Sequence, residues 1–178
     1  INYLKQYTDS TFLVELEKEG DVYKAGRLLR ANRVKRYTNE ENGDWKLLVF
    51  DKTSKQPRMP KGTVGYRWSK EKGKWNLKME DGQDDTPLDP ELTFLDEHDE
   101  IVNVAYHEFA EAKVALRGIP IRYVETDRGR VPVTTAFDLL VAQFGVSRGL
   151  PGDYPKSYDE IGPYTPAWQE QYTGIGRD

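Results

Sequence analysis

The chain has 178 residues, with 26 Lys and Arg against 30 Asp and Glu (net charge −4), 37% apolar residues and a mean hydropathy of −0.78. That fits one domain, or one with a small second, and the four Trp, eleven Tyr and six Phe supply core area that a disordered chain lacks. The absence of Cys excludes disulfides, thiolate-held zinc, iron–sulfur ligation and thiol catalysis within these residues, and no run approaches the ~18 apolar residues of a spanning helix.

In chain order, residues 11–17 (TFLVELE) alternate as a half-buried strand does, and after Glu19-Gly20-Asp21 the chain resumes at residues 22–25, which predicts a hairpin. Gly26 is expected to open a helical or turn segment reaching about Tyr37. Asn42-Gly43-Asp44 is turn chemistry ahead of residues 45–50 (WKLLVF), a buried strand by composition. A charged, Pro-containing loop spans residues 51–61. Residues 63–68 and 74–77 predict a second hairpin with Trp68 and Trp75 on its arms.

The acidic, Pro-containing run that follows reads as an exposed linker or long loop. Residues 101–106 form a strand pattern, residues 107–117 a short helix, and residues 119–124 with 131–133 a third hairpin around Asp127-Arg128-Gly129. Thr134 or Thr135 then caps a helix whose apolar residues Phe137, Leu140, Val141 and Phe144 recur at helical spacing and which Gly145 stops. Residues 150–162 are loop-like, and Thr165-Pro166 opens a last helix ended by Gly174. The expected organisation is a hairpin-rich β segment (1–78), an acidic linker or loop (79–100) and a mixed α/β segment (101–178) with helices near 134–144 and 166–173. Paired strands with helices gathered late predict an α+β fold, built of β-hairpins with a few short helices.

Charge is uneven: residues 1–89 carry 18 Lys and Arg against 15 Asp and Glu, the rest 8 against 15. Neither half has a nucleic-acid footprint. Arg27, Arg30, Arg33, Lys35 and Arg36 read as a solvated face or turn, without interleaved aromatics. No basic-then-apolar leader follows Ile1, so targeting signals are expected to be absent or removed.

Several motifs suggest chemistry and lack its context. Gly145-Val146-Ser147-Arg148-Gly149 matches a nucleophile elbow, but a helix precedes it and both histidines, His98 and His107, lie upstream. His107, Glu108 and Glu111 can share a helix face, yet a zinc site takes three or four ligands and only His98 remains to recruit. Asp81, Asp84, Asp85 and Asp89 lack the alternating ligands and closing Glu of a calcium loop. Gly174-Ile175-Gly176 follows a helix where a dinucleotide loop would precede one. Asp96, Glu97, Asp99 and Glu100 read as a solvated edge. The sequence therefore assigns no catalytic residue and no metal ligand, and leaves any cofactor-binding residue unknown.

Residues 4–13 (LKQYTDSTFL), 25–31 (AGRLLRA), 62–68 (GTVGYRW), 73–77 (GKWNL), 133–139 (VTTAFDL), 144–150 (FGVSRGL) and 164–175 (YTPAWQEQYTGI) follow an order that resembles an internal stretch of the catalytic alpha subunit of membrane-bound respiratory nitrate reductases, in the molybdopterin oxidoreductase (DMSO reductase) superfamily. The resemblance covers nearly the whole chain and fades over residues 79–120. The Tyr164-Thr165-Pro166 helix start occurs broadly in the superfamily, whereas residues 62–77 look particular to the nitrate reductase branch.

The resemblance implies a parent enzyme of α/β type that reduces nitrate to nitrite at a molybdenum bound by two pterin guanine dinucleotides and fed by a [4Fe–4S] cluster. It implies an iron–sulfur beta subunit and a quinol-oxidising membrane gamma subunit as partners, and a complex at the cytoplasmic face of a membrane. The family's cluster ligands and its aspartate molybdenum ligand come from motifs not found here, so the segment is expected to be structural and inactive alone, and to self-associate when isolated. A nitrite oxidoreductase or a chlorate or selenate reductase of the same branch stays open, as does a stand-alone interaction module with Trp45, Trp68 and Trp75 on a binding face.

Overall fold

The computed structural model describes residues 1–62, 77–108 and 113–177. The centre of the fold is a five-stranded closed barrel of β1 (Leu13–Glu19), β2 (Val22–Leu28), β7 (Glu100–His107), β8 (Val114–Thr126) and β9 (Gly129–Thr135). Four of its seams are antiparallel, and β2 meets β7 in parallel through Tyr23 and Val104. Closure leaves no free sheet edge in the barrel. Its strands come from both sides of the acidic stretch. Four short strands, β3 (Val49–Asp51) with β4 (Gln56–Arg58) and β5 (Pro60–Lys61) with β6 (Lys78–Asp81), make two small ribbons. Among the described residues there are three short helices, α1 (Asn2–Tyr7), α2 (Ala136–Phe144) and α3 (Pro166–Thr173).

The sheet-rich α+β expectation holds. The first hairpin pairs Glu19 with Val22 around Gly20, and the third pairs Thr126 with Gly129. Thr135 caps α2 by accepting from the Asp138 N–H, and Thr165 caps α3 by accepting from that of Trp168, with Pro166 opening the helix and Gly174 closing it in the left-handed region. The hairpin expected over residues 63–77 lies, apart from Leu77, outside the described residues.

Three expectations are corrected. Gly26 does not open the helical or turn segment: β2 runs on to Leu28, and the turns that reach Tyr37, two single 3-10 turns over Ala31–Arg33 and Lys35–Tyr37, begin only after it. At Gly26 the strands come so close beside the bulge in β1 that a Cβ would sit 2.8 Å from the Glu15 carbonyl oxygen, so the residue marks a close approach within a strand.

The helix expected over residues 107–117 is replaced at both ends by strand. His107 pairs with Val114 and Val104 with Arg117, while residues 109–112 lie outside the described residues. Exposed Val114 and half-buried Leu116 alternate with buried Ala115 and Arg117, the strand period of two, before β8 becomes buried on both faces over residues 117–122.

The acidic run is not an exposed linker throughout. Leu88, Leu92 and Phe94 are buried, and so are Asp81 and Glu91. Phe94 enters the core with Leu13, Leu29, Tyr37, Leu48, Met59, Val124 and Val133, meeting Phe50 edge to face at 5.5 Å between ring centres. A second cluster holds Leu16, Val104, Ile119, Ile121, Ala142, Leu150 and Tyr154.

Candidate functional site

The structure disperses most residues that the sequence singled out. Ser147 lies in a turn after α2: its hydroxyl accepts from the Gly149 N–H at 3.3 Å and reaches the Leu150 carbonyl at 3.5 Å, contacts of a turn residue rather than of an activated nucleophile. His107 is exposed at the end of β7, Glu108 is buried with no hydrogen-bond partner for Oε2 among the described residues, and Glu111 lies outside them. His98 places Nδ1 3.1 Å from the Phe94 carbonyl oxygen. Among the described residues, no group of three or more His, Asp or Glu could hold a metal ion.

The acidic candidates are engaged by cations and backbone. Asp81 accepts from Tyr37, Asp84 from Arg36 at 2.5 Å and Asp89 from Lys5 at 2.6 Å, while Asp85 pairs with Lys61. Hydrogen bonds from Thr86, with Arg36 beside it, lower the Asp84 carboxyl to about 2. Arg33 pairs with Glu15 at 2.6 Å and Asp127 at 2.7 Å, so the basic stretch clamps its two turns to β1 and to the β8–β9 turn. Asp96 is solvated, whereas Asp99 and Glu100 accept from the backbone N–H and the hydroxyl of Tyr123.

Two arrangements escaped the sequence reading. The first is a cleft of about 310 Å³ beside Phe50, Pro57 and Val124, bordered by Lys55, Arg122 and Arg130. Arg122, 7% exposed, lays its guanidinium 4.5 Å from the Phe50 ring centre and 5.2 Å from that of Phe94. Its Nη2 lies 3.3 Å from Glu91 and 3.5 Å from Glu97, and Lys55 approaches the same two carboxylates. Lys55 holds the Glu97 carboxyl below its usual range. Two of the three cations thus face two anions, while Arg130 lies 4.5 Å from the Tyr123 ring centre.

The second is the outer surface of α2 and α3. The stripe that marks α2 in the sequence is only partly covered: Phe137 and Val141 are half-buried, Leu140 is 49% and Phe144 46% exposed, and the buried positions of the helix are Asp138 and Ala142. Asp138 turns inward because its carboxylate accepts from Thr93 Oγ1 at 2.6 Å, the Phe94 N–H at 2.8 Å and Arg148 Nη2 at 3.0 Å. From Phe144 a run of rings continues through Tyr164 (5.1 Å), Trp168 (5.6 Å) and Tyr172 (4.6 Å). The helical period showed the stripe; nothing in it could tell an inward from an outward face.

Of the groups implied by the resemblance, the iron–sulfur cluster does not fit the residues at hand. With no Cys in the chain, an iron–sulfur cluster would find no thiolate ligand here. A pterin dinucleotide brings a diphosphate, which seeks unmatched cations or a free helix N-terminus. Among the described residues, Arg122 and Lys55 already face Glu91 and Glu97, the Asp138 carboxylate fills the first turn of α2, and Thr165 and Pro166 close that of α3, while Arg130 at the same cleft lies 4.5 Å from the Tyr123 ring centre.

The described residues build a sheet-rich closed barrel with a partly exposed apolar helix face. No family model matches the chain. Among curated proteins it is similar to the nitrate reductase alpha chain of Bacillus subtilis, 42% identical over all of this chain and 14% of that protein. It is also similar to the respiratory nitrate reductase 1 alpha chain of Escherichia coli, 37% identical over 99% of this chain and 15% of the relative, and to the respiratory nitrate reductase alpha chain of Bradyrhizobium, at 36%, 100% and 17%. The chain spans about one seventh of the length of the curated relatives it matches. It corresponds to an internal segment of the catalytic alpha subunit of respiratory nitrate reductases.

Proposed function

We propose that this chain is a structural, non-catalytic segment of a respiratory nitrate reductase alpha subunit. The observation that carries the reading is identity of 34–42% to nitrate reductase alpha chains across 98–100% of the chain. In the parent, nitrate takes up two electrons and two protons to give nitrite and water, with electrons passed from quinol through iron–sulfur centres. The molybdenum bis(molybdopterin guanine dinucleotide) and the [4Fe–4S] cluster are held by other parts of the alpha chain. The parent assembles with an iron–sulfur beta subunit and a membrane gamma subunit, which bring it to the cytoplasmic face of a membrane. No helix among the described residues is long and apolar enough to cross one.

The barrel serves this role by fixing the acidic stretch, α2 and the C-terminal loop on one rigid support. The test is two measurements. An antibody to this sequence should detect a native polypeptide about six to seven times longer than 178 residues, as the matched shares of 14–17% require. The isolated chain, supplied with molybdenum cofactor and reduced viologen, should reduce no nitrate; turnover by it would overturn the non-catalytic assignment.

A further inference from the structure

We propose that the outer face of α2 and α3 packs permanently against another part of the same alpha polypeptide, lying outside these 178 residues. The inference rests on the reading that the chain is part of a longer alpha subunit, and it names one surface and its occupant.

The stripe of α2 at helical spacing is the kind that a helix buries, yet Leu140 and Phe144 face outward. The ring series from Phe144 to Tyr172 extends that apolar surface along α3, whose buried apolar side chain is Ala167 alone among the described residues. Tyr164, which links the two helices in this series, stands at φ 71°, a left-handed conformation that costs a non-glycine residue free energy. Within the chain the ring is held between Phe144 and Trp168.

The chemistry of the occupant follows from the charges around the face. Arg177 lies 2.8 Å from Glu170 and 4.0 Å from Asp159, so these neighbours satisfy one another and what they leave open is apolar. Residues 151–177 carry Lys156 and Arg177 against Asp153, Asp159, Glu160 and Glu170, a negative balance that repels nucleic acid and an anionic lipid surface alike. An apolar, charge-poor contact resembles a domain core cut in half, the character of a permanent interface. The matched relatives have about six sevenths of their length outside this segment, ample to supply that half from the same polypeptide.

The experiment uses the full-length enzyme with its partner subunits and a photo-reactive p-benzoylphenylalanine placed by Tyr172→p-benzoylphenylalanine, or separately by Leu140→p-benzoylphenylalanine. Irradiation followed by peptide mapping should find adducts from both positions on alpha-chain peptides outside the 178 residues, within one polypeptide. Adducts on a beta or gamma subunit, on a second alpha copy or on lipid would overturn the inference, as would the absence of any adduct. The size of the native polypeptide separates the two levels. A chain of only 178 residues removes the alpha-subunit reading and this inference with it, whereas a long chain cross-linked elsewhere removes the inference alone.

Discussion

The hydroxyl of Tyr37 donates to the carboxylate of Asp81 at 2.5 Å, and neither residue is exposed to solvent. The phenolic oxygen also accepts from the Met59 N–H at 3.2 Å, joining the second 3-10 turn to the β5–β6 ribbon. Burial, then the Asp81 carboxylate, pushes the Tyr37 phenol up to about 12. The folded value thus exceeds the unfolded one of about 10, so this stabilisation is whole below about pH 10 and is lost as pH rises through about 12. Tyr37→Phe leaves Asp81 and the Met59 N–H short of a partner, an expected loss of about 1–3 kcal/mol at pH 7. Urea unfolding at pH 7 and pH 11 should show a smaller loss at the higher pH; an equal loss at both would contradict the assignment.

Asp138 sits in the first turn of α2 and is fully buried, with Thr93, Phe94, Thr135 and Arg148 all donating to it. It ties the acidic stretch, the helix start and the loop after the helix at one point. Asp138→Asn retains the shape and replaces one accepting oxygen by a donor that faces other donors. The expected cost is about 2–4 kcal/mol, read as a shift in the urea midpoint with little change in slope. Asp138→Ala should cost as much or more, because it also strands the Arg148 guanidinium at 3.0 Å.

Local chemistry was legible in the sequence where a turn or a cap decides the structure. Gly20, Gly129, Thr135, Thr165 and Gly174 all act as their positions suggested. What the sequence hid are long-range pairings. Whether residues 114–119 form strand or helix depends on β7 lying alongside, and the acidic residues looked solvated because Lys5, Arg36 and Lys55 lie 84, 48 and 42 positions from their partners. The outward turn of the α2 stripe was hidden for the same reason, since the inward face is chosen by Thr93 and Phe94, 45 and 44 residues before Asp138.

Gly152 is predicted to be intolerant of any side chain. Its φ is 115°, and an added Cβ would collide with the Leu116 carbonyl oxygen and lie 2.8 Å from Arg117 Cα, where the C-terminal loop bridges onto β8. Gly118 and Asp153 on either side donate to Pro151 and Leu116 at 2.8 and 2.7 Å, so the backbone has no freedom to retreat. Gly152→Ala should destabilise by about 2 kcal/mol or more. Amide exchange should rise at Gly118 and Asp153; unchanged protection there would show that the loop can shift.

Arg117 is 2% exposed and donates through Nη1 to the carbonyl oxygens of Ala142 and, at 3.2 Å, Gln143, at the end of α2. Those carbonyls have no partner within the helix, and a cation there also meets the negative end of its dipole. The guanidinium lies 5.2 Å from the Tyr154 ring centre, so charge, planarity and length are all used. Arg117→Met keeps the bulk and removes the donors, with an expected loss of about 2–4 kcal/mol. Arg117→Lys should fall between, restoring charge without the fork. Because Leu140 and Phe144 ride on this last turn, both variants in the full-length enzyme should also weaken the cross-link from position 140, with Met the more severe. Loss of stability with an undiminished cross-link would show that the face is held by its occupant and not by the end of α2.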